Sequence, residues 1–225
     1  MRRDTARRIA ECCRSLAQAG LIAGADGNIA VRVGPDRALV TPSGRIKSEL
    51  TVDDIVEVDL AGKRVRGHQR PSSELDMHLR ILSRRSDVEA VVHAHPPVAT
   101  GFGVAGLAFD DCILPELIFQ LGQVPLVPYG TPGTPELADE LEPYLAHYDA
   151  FILANHGAVT VGPSLDEARI RMESLEHAAK IIFTARLLGH VRPLDRAQVE
   201  RLETLRRSRD LPGAYPGCPA QEAEE

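Results

Sequence analysis

Between residues 5 and 19 the apolar positions Ile9, Cys12, Cys13 and Leu16 recur every three or four residues, and Gly20 follows. That spacing puts one apolar stripe on an α-helix, which the glycine ends. The period then shortens. Runs 28–33, 38–41 and 55–60 read as short strands parted by Gly34-Pro35, Pro42-Ser43-Gly44 and Ala61-Gly62-Lys63, turn chemistry that predicts a mostly antiparallel sheet. Pro71-Ser72-Ser73 opens a helix reaching about Arg84, because serine caps the free amides of a first turn and acids are favoured there. Glu74 is thereby placed at a helix N-terminus.

Further along, 88–95 is strand-like, 96–104 and 115–121 are helical, 124–127 is a strand and 135–145 another helix. Strands 151–154 and 158–161 flank Asn155-His156-Gly157, and a long helix over 165–188 begins at Ser164 and closes at Gly189. A last helix covers 195–209. The elements alternate without a repeat, so one α/β domain is expected over 1–210. Residues 211–225 hold Pro212, Gly213, Pro216, Gly217 and Pro219 ahead of several acids, too little apolar surface to order themselves, and are expected to form a flexible tail.

A chain of 225 residues buries a substantial core without a staple. Aromatics at 4% with no Trp argue against a surface for stacking nucleic-acid bases, and a net charge of -6 with scattered basic residues argues against a phosphodiester backbone as partner. The cysteines 12, 13, 112 and 218 show no paired spacing, which predicts neither a disulfide framework nor a cysteine metal site and fits a reducing cytoplasm. Nowhere do roughly 18 apolar residues run together as a membrane span requires, and the N-terminus alternates charge instead of leading into a secretory apolar core.

The candidate chemistry is carried by histidines. His93-Ala94-His95 follows an apolar strand, and residues two apart on an extended chain point to one face. His156 stands where a second apolar strand meets Gly157, a residue that lets the backbone turn sharply while presenting the imidazole. Three imidazoles leave a zinc ion one open position, the mark of a catalytic site. Glu74 is placed to complete the coordination or to act as acid and base, against a default of an exposed dipole partner. Gly27-Asn28, Ser43-Gly44 and Ser72-Ser73 combine small residues, free amides and short polar groups suited to phosphate. His78, four residues after Glu74, shares its helical face; an exposed local pair is the simpler account, and His68, His147, His177 and His190 read as surface or packing residues.

Taken in order, Gly27-Asn28-Ile29, Thr41-Pro42-Ser43-Gly44, Ser72-Ser73-Glu74, His93-Ala94-His95-Pro96 and Asn155-His156-Gly157 resemble the class II aldolase/adducin family over about residues 5–190. The resemblance implies a three-layer α/β/α domain with a central, largely antiparallel sheet, assembled as a homotetramer with interfacial active sites. It implies zinc, or manganese or cobalt, on His93, His95 and His156, with Glu74 as acid/base and Gly27, Asn28, Ser43, Gly44, Ser72 and Ser73 around a phosphate. The activity it implies is reversible cleavage of a ketose 1-phosphate, such as fuculose 1-phosphate or a related deoxy or methylthio pentulose phosphate, to dihydroxyacetone phosphate and an aldehyde.

Glutamate at position 74 favours aldolase over the family's epimerases, which tend to carry aspartate. Two departures stand out. Phe119 lies where the family's aldolases have a catalytic tyrosine, and Pro132 where they have an aromatic residue lining the aldehyde site. Glu116, one helical turn earlier, and Tyr215 in the tail are substitutes to weigh. Epimerisation, dehydration or decarboxylation through the same metal-enolate chemistry, and a non-catalytic adducin-like module, are the alternatives.

Overall fold

A computed structural model describes residues 2–109, 112–209, 211, 213, 214 and 216–218. An eight-stranded sheet runs through it in the order β4-β3-β2-β1-β5-β8-β7-β6. Its strands are β1 (Asn28–Gly34), β2 (Arg37–Val40), β3 (Val56–Asp59), β4 (Arg64–Arg66), β5 (Ala90–Ala94), β6 (Leu126–Val127), β7 (Ala150–Leu153) and β8 (Gly157–Gly162). Neighbours pair antiparallel except β6 with β7, which are parallel, so the sheet is mixed though largely antiparallel.

Alternation along each strand builds two cores. Ile29, Val31, Ala90, Val92, Ala150 and Ile152 face α1 (Arg2–Gln18), α3 (Pro97–Val104) and α6 (Leu165–Leu188). Ala30, Val91, Phe151, Leu153, Val159 and Val161 face the other way, onto α2 (Leu75–Arg84) and α5 (Pro135–Leu141). The result is the expected α/β/α sandwich. Two further helices, α4 (Pro115–Gln120) and α7 (Arg196–Ser208), pack on each other through Ile118 and Val199.

The structure departs from the sequence reading in a helix end, an edge strand and a disulfide. The expected helix 135–145 stops at Leu141 and tightens into a 3-10 turn, Glu142–Tyr144, where Pro143 removes an amide donor. Strand β4 is an exposed Arg-Val-Arg edge with no apolar alternation to mark it. Cys112 and Cys218, expected free, are joined in a disulfide across 106 residues of sequence. No local spacing reveals a bond of that span, and its presence withdraws the cysteine argument for a reducing compartment. The Cys218 amide donates to Glu203 (3.1 Å), and Gly213 packs on Asp149 and Arg171. Tyr215 lies outside the described residues. Among the described residues no helix is long and apolar enough to cross a membrane.

Two buried carboxylates brace the frame. Glu176 on α6 accepts the first amides of α3 from Val98 (3.1 Å) and Ala99 (2.9 Å), fixing the helix that follows His95. Asp149, 2% exposed, sits between Arg85 (2.7 Å) and Arg171 (3.0 Å), linking the ends of α2, β7 and α6. Removing a carboxylate that two buried guanidiniums share is costly. Asp149→Ala is expected to lower stability by about 3 kcal/mol, read as a lower urea midpoint at unchanged slope.

Candidate metal centre and its surroundings

The register of β1, β5 and β8 places the site. Asn28 lies directly across from His93 in the β1–β5 pair, and His93 across from Val159 in the β5–β8 pair. Position 93 shares the parity of Val91, so its side chain enters the α2 side of the sheet, where Glu74 begins that helix. His95 follows one residue past the strand end, and His156 comes from the β7–β8 turn, whose left-handed residue is Asn155 (φ 56).

Gly157 has a different reason from the one expected. Its φ is not left-handed; a Cβ there would lie 2.6 Å from His95 Cδ2, 2.6 Å from the Ala94 carbonyl and 3.2 Å from His93 Cε1. The glycine makes room for two imidazoles. Gly27 combines both constraints, a φ of +72 and a Cβ position 2.9 Å from the His93 carbonyl.

The three ligand atoms lie within 4.8 Å of one another. His93 is fully buried, and its Nδ1 donates to the Ala158 carbonyl (2.9 Å), which leaves Nε2 as a bare lone pair 3.1 Å from His95 Nε2. Nitrogens bound to one tetrahedral zinc at its usual bond lengths stand about 3.3 Å apart, so the donor set fits a divalent ion. Glu74, 8% exposed, brings Oε2 to 3.3 Å from His93 Nε2 and Oε1 to 3.1 Å from His156 Nε2. Oε1 is nevertheless buried without a hydrogen bond, an orphan that a cation would satisfy.

Charge at the cluster is set by burial first. Burial pushes His93 down to about 3, against the pull of Glu74, and also lowers His95, so both rings are neutral and ready to ligate. For Glu74 burial works the other way, toward the acid. The His93 and His156 rings and the Asn28 amide outweigh it and hold the carboxyl well below its ordinary range.

The expected phosphate residues occupy adjoining segments. Pro42 and Pro71 form an antiparallel bridge; the Ser43 amide donates to Arg70 O (2.9 Å) and the Ser72 amide to Thr41 O (3.1 Å). Ser72 Oγ accepts from the Glu74 amide (3.2 Å), so the serine serves that residue and does not cap α2 itself. Asn28 joins them by donating from Nδ2 to Glu74 Oε2 (2.6 Å). With that hydrogen used, its amide has one left for an anion.

One residue here went unrecognised in the sequence, and another was weighed and set aside. Lys47, 2% exposed, donates through Nζ to Ala25 O (2.6 Å) and Arg45 O (3.0 Å), tying the segment before Gly27 to the one after Ser43-Gly44. No carboxylate among the described residues pairs with it, and burial lowers its pKa. His78, expected as an exposed partner of Glu74, is wholly buried, and its Nε2 bonds Asn28 Oδ1. A lysine near a turn carries no local sign of its role, and a histidine one helical turn from an acid, which by spacing could orient that carboxylate, carries no sign of its burial or of a partner on β1.

Other candidates lie apart. Glu116 and Phe119 line a cavity of about 510 Å³ with Arg206 and Arg209, which shares no residue with the histidine cluster of the same chain. Arg209 stacks over the Phe119 ring at 5.1 Å. Pro132 is exposed in the loop whose Gly133 adjoins Ser73.

Comparison with known proteins agrees with this geometry. Residues 7–183 match the family model described as class II aldolase and adducin N-terminal domain. A 3-oxo-tetronate 4-phosphate decarboxylase of Pectobacterium atrosepticum is 36% identical over 173 residues, 75% of this chain and 79% of that one. An L-fuculose phosphate aldolase of Methanocaldococcus jannaschii is 35% identical over 169 residues, 75% of this chain and 90% of that one. A solved L-fuculose 1-phosphate aldolase superposes with a TM-score of 0.84 at 30% identity, covering 92% of this chain and 97% of that one. The chain belongs to the class II aldolase and adducin family. It is an enzyme of the aldolase type, with a three-histidine cluster positioned for a divalent metal.

Two outcomes are expected. Gly157→Ala, by pressing on His95 and His93, should lower metal affinity about 10- to 100-fold while leaving the helix content unchanged, measured by chelator competition and circular dichroism. The second concerns acid. Burial pushes His78 down to about 4, while the unfolded ring takes its proton near 6.5. The fold therefore holds its full stability above about 6.5 and loses about 3 kcal/mol as pH falls from there towards 4. In metal-free His78→Gln that part of the acid loss should be missing from urea midpoints taken across this range.

Proposed function

We propose that this chain is a metal-dependent lyase acting on a small phosphosugar, and that it decarboxylates a four-carbon 3-oxo acid phosphate to dihydroxyacetone phosphate. Aldol cleavage of a ketose 1-phosphate and this decarboxylation share one half: a carbon–carbon bond beside a ketone breaks and leaves the same enediolate, which is then protonated on carbon. They differ in the other fragment. An aldehyde forms from a hydroxyl that must give up its proton, whereas carbon dioxide leaves from a carboxylate that has none to lose. The observation that carries the reading is Phe119, which stands where resembling aldolases have a proton-transferring tyrosine and cannot move a proton. The 36% identity to a 3-oxo-tetronate 4-phosphate decarboxylase supports it.

His93, His95 and His156 would hold the ion, which when bound supplies Lewis acidity to the ketone and neighbouring hydroxyl oxygens. Zinc suits three imidazoles and a carboxylate; manganese and cobalt are accepted by the same set. Glu74 passes a solvent proton to the carbon. At rest the imidazoles and the Asn28 amide keep it ionised against burial. Substrate oxygens taking its place beside the rings remove part of that support, burial then raises its pKa, and the carboxyl becomes an acid next to the carbon that needs one. Gly27, Asn28, Ser43, Gly44, Ser72 and Ser73 would surround the phosphate, with the buried ammonium of Lys47 tying the segment before Gly27 to the one after Ser43-Gly44. The same reading takes the working form as a homotetramer, in which subunit contacts would cover exposed Val104, Phe183, Leu187 and Leu188.

Aldol cleavage is the second reading, favoured by glutamate at position 74 and by the 35% identity to an L-fuculose phosphate aldolase. The deciding assay gives zinc-loaded protein 3-oxo-tetronate 4-phosphate and, separately, a panel of ketose 1-phosphates. Carbon dioxide and dihydroxyacetone phosphate in equal amounts from the first, abolished by chelation, are the expected result. Dihydroxyacetone phosphate from the ketose phosphates alone would turn the assignment to aldolase. Glu74→Gln should keep its metal and lose turnover by about 100-fold or more, and a fully active variant would remove Glu74 from the chemistry.

A further inference from the structure

We propose that His78 is a positioning residue for proton transfer: through the Asn28 amide it fixes the direction of the Glu74 carboxylate. This rests on the reading of Glu74 as the group that moves the proton. The chain of bonds has only one polarity. An ionised carboxylate accepts and does not donate, so Asn28 must turn Nδ2 toward Glu74 Oε2, 2.6 Å away. Its Oδ1 then faces His78, whose Nε2 must carry the proton. The other ring nitrogen, Nδ1, is buried with no hydrogen-bond partner, as the bare nitrogen of a neutral imidazole in this tautomer would be.

Packing does not account for a histidine here. The ring is fully buried, on a helix whose Met77, Leu79, Ile81 and Leu82 are buried as well. A leucine at the same place would bury without an orphaned nitrogen, so the imidazole's contribution is the one bond it makes. That bond removes a specific freedom. Backbone register holds Asn28 across from His93, leaving the amide free to turn over about its last side-chain bond. A flipped amide would set Oδ1 against the Glu74 carboxylate and repel it from the histidines. With Nε2–H of His78 in place, only the orientation that holds Glu74 is satisfied on both sides.

The test follows solvent deuterium entering dihydroxyacetone phosphate by NMR, with zinc-loaded full-length protein. This exchange is the proton step common to both candidate reactions. His78→Met, which lacks the donor, should bind zinc normally, keep KM for dihydroxyacetone phosphate within about 3-fold and lose about 10- to 100-fold in the exchange rate. His78→Gln, which presents an N–H at similar reach, should restore most of it. In a Glu74→Gln background His78→Met should add nothing. Wild-type exchange by His78→Met, or an equal loss in the Glu74→Gln background, would overturn the role of His78 while leaving Glu74 standing. Wild-type exchange by Glu74→Gln itself would overturn the reading of Glu74. Should His78→Met fail to fold, nitrogen NMR of histidine-labelled wild-type protein decides: a neutral ring protonated on Nε2 is expected, and a proton on Nδ1 would overturn the proposal.

Discussion

The antiparallel pairing of β1 with β5 sets Asn28 across from His93, and the period of two along β5 turns His93 toward α2. A slip of one residue would send His93 into the opposite core, among the residues of α1 and α6, and leave α2 facing Ala94. The apolar neighbours prevent that slip, because Val91 and Val92 would exchange cores with it. The metal centre therefore inherits its precision from hydrophobic packing. Glycine at 157 is the complementary constraint: β8 approaches β5 so closely that only hydrogen fits between its backbone and the two rings.

On this frame the electrostatics are arranged as opposed pushes. Burial drives His93 and His95 toward the neutral form that a cation needs and drives Glu74 toward the acid that a carbanion needs. At rest the second push is overridden by donors that an incoming substrate would displace. Lys47 adds a buried positive charge whose ammonium donates to the Ala25 and Arg45 carbonyls, between segments rich in small polar residues. Neutral ligands, a restrained carboxylate and a nearby fixed cation together suit an anionic substrate whose charge moves during reaction.

The ligands and most elements were legible because they are written in periodicity and turn residues: strand ends preceding His93-Ala94-His95 and His156, Gly20 and Gly189 closing helices, and proline opening others. What escaped depends on which distant segments meet. His78 looked like a surface neighbour of Glu74 since i and i+4 share a face, yet its partner is Asn28, 50 residues away on β1. Lys47 reaches back 22 residues to Ala25. Gly157 was read as a turn residue because glycine's commonest use is conformational, while here the three-dimensional neighbours set the need. The Cys112–Cys218 disulfide spans 106 residues and belongs to the same class of information.

The division of the site also says where reactions in this family would diverge. Asn28, Glu74, His78, His93, His95 and His156 come from β1, α2, β5 and the β7–β8 turn, all held by one sheet register. On the proposed reading these residues serve the half of the reaction that leaves an enediolate, which decarboxylation and aldol cleavage share. The positions departing from the aldolase pattern, Phe119 and Pro132, sit on α4 and in the loop beside Ser73, outside that register. On that reading, substitution there would alter the fragment that departs without disturbing the metal or the proton step. If the proposed tetramer brings α4 of one subunit to the site of another, a phenylalanine where an aldehyde's proton acceptor would stand is harmless to a leaving group that is already ionised, and a single side chain on a peripheral helix would separate the two reactions while the core chemistry stays the same.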